Sequence, residues 1–379
     1  MRRAPVLSAR RFSPDRRAVT VGLGALALSG CVQAAPRLEI SARPDCLAPV
    51  NAVPGRLIRS VAGLRPYREA GFVVRRETLG AKALVHNYGH GGAGITLSWG
   101  TSRLAADLGL PGHQGPVAVI GCGVMGLSTA RLLQDEGFAV TIYTDEVPPY
   151  TTSNIAGGQW HPYGHFNADR VTPEWREQFR AAAAYSWHRF QLMVGDEYSV
   201  RWVPTYNLGG TETQLLPTFP PDLHELSPSQ HTFPVDRATR FTTMYVETGR
   251  YLRQLMRDFR IAGGTIRRRR FAAPSDIAEL SETLVFNCTG LGARALFGDD
   301  GMVPVRGQLA ILLPQPEIDY AYTGRFGYMF PRPDGIVLGG TFERGIWDAT
   351  PQDSDIARIL ARHAQLHAEM RCTALTRTA

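Results

Sequence analysis

The chain has 379 residues, 44% hydrophobic and 20% charged, enough to bury a sizeable core and long enough for two domains, which excludes a disordered or fibrous protein. Its formal charge is +7, but residues 1–30 hold six Arg and one Asp, so the remainder carries only +2 and has no electrostatic footprint for nucleic acid. The single lysine, Lys82, follows Ala81, so the Gly-Lys pair of a Walker A loop is missing and a Schiff base has one candidate only. Cys31, Cys46, Cys122, Cys288 and Cys372 show no C-x-x-C spacing, which argues against a zinc ribbon, an iron–sulfur site or a dithiol motif; disulfides stay open and unassigned.

In chain order, Arg10-Arg11 and Arg16-Arg17 precede an apolar run, Ala18 to Gly30, whose thirteen residues are too few to span a bilayer and suit a signal-peptide core. The paired arginines resemble a twin-arginine signal, and Leu28-Ser29-Gly30-Cys31 resembles a lipobox in which Cys31 is acylated. Residues 1–30 are thus read as a signal peptide of an exported, periplasmic or cell-envelope protein, with a cytoplasmic protein as the alternative. Residues 31–54, with three Pro after Pro36 and no sustained period, read as a tether.

Val117 to Ile120 is a short buried-type strand, followed by Gly121-Cys122-Gly123-Val124-Met125-Gly126 and a helical pattern through Glu136. This is G-x-G-x-x-G in its required setting: the first Gly permits the turn, the second admits a pyrophosphate, and the third lets helix and strand pack closely. A second strand, Ala139 to Thr144, leads to Asp145, nineteen residues after Gly126, where a carboxylate can bind a ribose hydroxyl; no Arg follows it to hold a 2′-phosphate. Strand, triplet, helix, strand and acid in register predict a dinucleotide site without separating FAD from NAD. Thr283 to Phe286, running into Asn287-Cys288-Thr289-Gly290, is a further strand. Arg267 to Arg270 reads as alternating faces of an exposed strand, and Ser354 to Met370 as a helix.

After Asp145 the run Pro149-Tyr150-Thr151-Thr152-Ser153-Asn154-Ile155-Ala156-Gly157-Gly158-Gln159-Trp160-His161-Pro162-Tyr163 resembles the D-amino-acid oxidase family. Asn287 to Gly290, Val305-Arg306-Gly307-Gln308 and Leu338-Gly339-Gly340-Thr341-Phe342 ahead of Trp347 agree in order and approximate spacing. His86-Asn87-Tyr88-Gly89-His90-Gly91-Gly92-Ala93-Gly94-Ile95-Thr96-Leu97-Ser98-Trp99-Gly100, preceded by Gly63-Leu64-Arg65-Pro66-Tyr67-Arg68, is similar to that family's signature. In the family this piece lies near the C-terminus, whereas here it precedes the dinucleotide motif. The resemblance therefore implies a circular permutation joined through Leu108 to Pro116, which predicts that Ala379 lies near Arg56.

The resemblance implies an α/β fold: a Rossmann-like FAD-binding domain, residues 69–160 and 248–303, plus a mixed-sheet substrate domain, residues 55–68, 161–247 and 304–379. It implies Arg65 as carboxylate clamp, Tyr328 as a further donor to that carboxylate, and the Gly92 carbonyl as acceptor for the amine. FAD contacts are expected at Gly121, Gly123, Val124, Met125, Gly126, Asp145, Thr151, Thr152, Gly158, Gln159, Gly91, Gly94, Ile95 and Thr96. The implied reaction converts a D-amino acid and dioxygen to a 2-oxo acid, ammonia and hydrogen peroxide.

Two features depart from the family pattern. Thr323-Gly324-Arg325-Phe326 is a short lid that lacks the family's further aromatic at the aligned place, and Gln159 replaces an apolar residue; Arg325 would favour an acidic side chain if it points inward. A same-fold dehydrogenase, or an oxidase preferring glycine or D-aspartate, is the second reading; a nucleotide-binding lipoprotein without turnover is the third. The His pairs 86/90, 161/165 and 363/367 have i,i+4 spacing, but the first two enclose Gly or Pro and Gly, and the third, read as straddling a partly exposed helix face, has no nearby third ligand. No metal is assigned, membrane contact is expected only through Cys31, and a homodimer is left open.

Overall fold

The computed structural model describes residues 46–162 and 164–372. The leader, Cys31, Tyr163 and Ala379 lie outside the described residues. Among the described residues fifteen strands and seven α-helices follow in the order β1 (Leu57–Arg68), β2 (Val73–Leu79), β3 (Lys82–Tyr88), α1 (Gly94–Gly109), β4 (Val117–Ile120), α2 (Val124–Asp135) and β5 (Val140–Thr144). Next come α3 (Pro173–Gln191), β6 (Val200–Leu208), β7 (His224–Leu226), β8 (Ala238–Val246), α4 (Thr248–Ile261), β9 (Thr265–Arg268), α5 (Pro274–Ala278), β10 (Leu284–Asn287) and α6 (Gly292–Phe297). The chain closes with β11 (Met302–Leu312), β12 (Ala321–Gly324), β13 (Gly327–Arg332), β14 (Gly335–Gly339), β15 (Glu343–Arg344) and α7 (Asp353–Glu369).

One sheet has six strands in the order β2-β3-β10-β4-β5-β9, parallel apart from β2. Its central strands β4 and β10 are buried at every position because both faces are covered, and apolar but for Asn287 at the end of β10. Alternate residues divide between the faces: Val117, Val119 and Phe286 join a core with helices α1 to α4, while Ala118, Ile120 and Val285 join Ile277, Leu280 and Leu296. The Gly121–Gly126 turn leaves β4, between β10 and β5. Arg267 and Arg268 end the exposed edge strand β9.

The second sheet runs β1-β11-β14-β13-β12-β6-β8-β7, with β15 on β11, and mixes parallel and antiparallel pairs. β1 pairs antiparallel with β11 from Leu57↔Leu312 to Arg68↔Met302. One face of this sheet packs Ala310, Leu312, Met329, Ile336 and Leu338 under Ile356, Ile359 and Leu360 of α7. On the opposite face Val61, Leu309, Val337, Phe330 and Val203 form a smaller cluster.

Two expectations need correction. The tether was read as reaching Pro54, yet Val50 and Ala52 are buried in the core beneath α7. His363 and His367 face inward rather than straddling an exposed face, because they sit on the same side of α7 as Ile359, Ile356 and Leu366. Cys46 and Cys372, unassignable by spacing, form a disulfide across 326 residues, with Cα atoms 5.2 Å apart.

Cys46→Ser is expected to lower stability by about 2–4 kcal/mol, because the crosslink restricts the unfolded chain over a long loop. Thermal unfolding of the variant, and of the wild type under reductant, should show the same loss. Burial holds His90 and His367 down to a pKa of about 3 and His363 to about 4, whereas they titrate near 6.5 when unfolded. Their contribution is complete above pH 6.5 and is lost as pH falls toward 4. Stability should therefore decline from pH 6.5 to 5 by about 1.4 kcal/mol per pH unit for each proton taken up on unfolding. A flat urea-midpoint profile over that range would contradict it.

Candidate active site

Arg65, on β1, shares a sheet face with Gly63 and Val61 by strand alternation, and Gly63 pairs with Gly307 of β11. The guanidinium lies across Gly307: a Cβ there would stand 2.3 Å from Nη1. Arg65 Nη1 donates to the Thr341 carbonyl at 3.3 Å, and the Phe342 ring centre is 5.9 Å from Cζ. Nearby arginines are neutralised: Arg68 Nε meets Asp299 at 2.9 Å, Arg306 Nε meets Glu343 at 2.9 Å, and Arg332 Nε meets Asp334 at 2.7 Å. Arg65 alone of these four has no carboxylate partner among the described residues. A half-buried guanidinium without a counter-charge suits an anion brought by a ligand.

Tyr328 lies on the same face, through the register Tyr328↔Gly339 and Leu309↔Gly339. Its ring covers Gly339, where a Cβ would be 2.1 Å from Cζ, and its Oη would be 3.1 Å from a Cβ at Gly340. Arg65 and Tyr328 thus both reach the 339–341 segment, the first through Thr341 and the second through Gly340. Phe330 stacks on Tyr328 at 4.7 Å and meets Tyr245 at 5.1 Å, which fixes the phenol from behind. Gly92, in the 3₁₀ turn Gly91–Ala93, abuts the Arg65 side chain, a Cβ there being 3.7 Å from Cδ. Arg65, Tyr328 and the Gly92 turn thus lie close together.

The glycine turn forms a cradle that side chains would fill. At Gly126 a Cβ would be 1.9 Å from the Gly121 carbonyl oxygen, and Gly121 has φ +104°. The N-terminus of α2 receives Ser153 Oγ as acceptor for Val124 N–H at 3.0 Å. The N-terminus of α1 stands beside it, since a Cβ on Gly94 would be 4.0 Å from Val124 Cγ1. Two helix N-termini, each offering unpaired N–H groups, suit the charge of a pyrophosphate. Asn154 accepts from Thr151 Oγ1 at 2.8 Å, while its own Nδ2 is buried without a partner among the described residues, a donor left for a ligand. Gly158, with φ +90°, packs where a Cβ would be 2.0 Å from the Val246 carbonyl oxygen. Thr96 Oγ1 donates to the Gln159 carbonyl at 3.3 Å, which ties the 157–161 segment to α1. These residues fit a flavin dinucleotide.

The remaining expected contacts are placed as follows. Val124, Met125, Ile95 and Thr96 are buried, Gly91 packs on His165, and Thr152 opens the 3₁₀ turn Thr152–Asn154. Asp145, just past β5, is exposed and faces Arg270 Nε at 3.6 Å. No arginine stands within the few residues after Asp145, yet β9 and its end bring Arg268 and Arg270 beside it. Arg325 points away from the site, donating to the Pro234 carbonyl at 3.3 Å with its guanidinium over Phe326, so it supplies no charge for an acidic side chain. Sequence reasoning passed over Gly307, Thr341, Ser153 and Asn154 as site residues. All four lie inside the quoted motifs, but only the fold shows what they touch. No cluster of three metal-ligating side chains occurs among the described residues.

The family model for FAD dependent oxidoreductase matches residues 38–108 and 116–378. A D-amino-acid oxidase of Streptomyces coelicolor is 33% identical over 274 residues, covering 68% of this chain and 79% of that protein. A D-amino-acid oxidase of Rubrobacter xylanophilus is 32% identical, covering 67% of this chain and 77% of that one. A human D-aspartate oxidase is 31% identical, covering 65% of this chain and 74% of its own. Among solved structures, a glycine oxidase from Geobacillus kaustophilus shares the fold with a TM-score of 0.51 at 16% identity, covering 69% of this chain and 81% of that one. The dinucleotide cradle is therefore that of a flavoenzyme, and the chain belongs to the family of FAD-dependent oxidoreductases.

Proposed function

We propose that this enzyme oxidatively deaminates D-amino acids to 2-oxo acids, ammonia and hydrogen peroxide. The observation that carries the reading is the half-buried Arg65 guanidinium, unpaired beside Tyr328 and the Gly92 turn. FAD held in this cradle would supply hydride-accepting chemistry and reoxidation by dioxygen. The chain's own residues then have only to bind and orient. Arg65 takes the substrate carboxylate, Tyr328 Oη donates a further hydrogen bond to it, and the Gly92 carbonyl accepts from the amine. Those three contacts hold the α-carbon in one orientation, which is where proximity lowers the barrier. The imine product hydrolyses in water to the oxo acid and ammonia. The names of the D-amino-acid oxidase relatives support the D-stereochemistry and the use of oxygen.

We infer also that the order of the segments is permuted, and that residues 69–160 and 248–303 bind the cofactor while residues 55–68, 161–247 and 304–379 hold the substrate. The family match in two blocks supports this, as does the Cys46–Cys372 bridge between the two ends of the described chain. A disulfide also suits an exported protein, because oxidising compartments preserve such bonds. Export through the leader, with a lipid anchor at Cys31, is part of the same proposal.

Flavin-loaded protein given D-alanine should consume oxygen and release peroxide and oxo acid in a one-to-one ratio; oxo acid without peroxide would favour a dehydrogenase. Arg65→Ala should lower kcat/KM on the order of 10²-fold or more, since charge-assisted hydrogen bonds contribute roughly 1.5–3 kcal/mol each. Unchanged kinetics would remove Arg65 from the site. Gly126→Ala should purify with little or no bound flavin, read from visible absorbance against protein absorbance, because its Cβ collides with the Gly121 carbonyl.

A further inference from the structure

On the far face of the sheet, beneath Tyr328, three polar side chains interrupt the apolar core between the strands and α7. Tyr322 Oη is 2.5 Å from His363 Nδ1 and 3.1 Å from His367 Nε2, and His363 Nε2 is 3.2 Å from the Gly339 carbonyl oxygen. All three side chains are buried. A carbonyl oxygen can only accept, so His363 Nε2 carries the proton and its Nδ1, bare in the neutral ring, accepts from Tyr322. The hydroxyl of Tyr322 has one proton and has given it to His363, so His367 Nε2 donates to its oxygen. The hydrogen bonds run one way, from His367 through Tyr322 and His363 to Gly339.

That last carbonyl is the bed of Tyr328. Gly339 pairs with Tyr328 in the ladder and lies directly under its ring. Gly327, the residue before Tyr328, is pressed onto the same carbonyl: a Cβ there would be 2.0 Å from the Gly339 oxygen and 3.2 Å from His363 Nε2. One imidazole therefore touches the backbone on both sides of the phenol. An apolar core would fill this space without the desolvation cost of three polar groups, so the network specifies a position rather than adding bulk stability.

We propose that His363, oriented by Tyr322 and His367, is a positioning residue: by pinning the Gly339 carbonyl and with it Gly327, it keeps the Tyr328 phenol aimed at the carboxylate bound by Arg65. The inference rests on the reading that Arg65 and Tyr328 bind a carboxylate.

The test uses flavin-loaded enzyme, with KM and kcat for D-alanine and, independently of turnover, the Kd for benzoate by calorimetry. His363→Leu removes the donor to Gly339 and should raise KM and Kd together about tenfold, with kcat within about twofold. His363→Gln, whose amide donates and whose carbonyl accepts from Tyr322, should recover most of the loss. In a Tyr328→Phe background His363→Leu should add nothing further. A lower Tm with KM and Kd unchanged, or the same effect with and without the Tyr328 hydroxyl, overturns the proposal. Should His363→Leu fail to fold, Tyr322→Phe serves instead: a smaller parallel rise in KM and Kd supports the proposal, and none overturns it. If the wild type does not oxidise D-alanine while His363→Leu still raises the Kd for benzoate, the assigned reaction fails and the positioning role stands. If it oxidises D-alanine while Kd is indifferent to His363, the positioning role alone fails.

Discussion

The antiparallel ladder between β1 and β11 is the contact on which the rest depends. It joins a strand from the front of the chain to one from its last third, along eleven paired positions from Leu57 to Arg68. Only that register sets Gly63 opposite Gly307 and lays Arg65 over a position with no side chain. A slip of one residue would turn Arg65 to the α7 face, where the neighbours are aliphatic, because side chains alternate between faces. The ladder leaves the clamp unpaired while its neighbours Arg68 and Arg306 are neutralised by Asp299 and Glu343.

Missing side chains build much of the site. The Arg65 guanidinium lies on Gly307, the Tyr328 ring on Gly339, the α2 helix close to Gly121 through Gly126, and the 157–161 segment close to β8 through Gly158. At each place a Cβ would stand within 2.3 Å of an atom of its neighbour, so the backbone itself is the packing surface. This explains why the informative motifs of the sequence are dense in glycine, and why their chemistry resides in a few long side chains laid flat on them.

The two sheets divide the labour by strand type. The parallel sheet is buried on both faces and ends its central strand in the nucleotide turn, as open α/β sheets do at the carboxyl ends of their strands. The mixed sheet presents one face to α7 and turns Arg65 and Tyr328 to the other. Residues 57–109 feed both: β1 is an edge of the mixed sheet, and β3, with β2 on its outer side, lies next to β10 in the parallel one.

Local pattern was enough to read the dinucleotide unit. β4, α2, β5 and β10 fall within a residue or two of the expected bounds, because a short apolar strand, a glycine turn and a periodic helix are dictated by neighbours in the chain. The same holds for α7, whereas Arg65, Tyr328 and Gly92 were singled out only by the resemblance of the motifs that carry them to a known family. What the linear order could not contain was who faces whom. The inward turn of His363 and His367, the outward turn of Arg325, the Cys46–Cys372 bridge and the arginines beside Asp145 all join residues distant in the chain. Such pairings follow from strand register and the packing of α7 on the sheet, which are decided only when the whole core closes. Residue type and spacing determined that this chain would hold a dinucleotide at its glycine turn; tertiary structure alone decided that Arg65 has no carboxylate partner among the described residues, because the side chains around it come from segments far away in the chain.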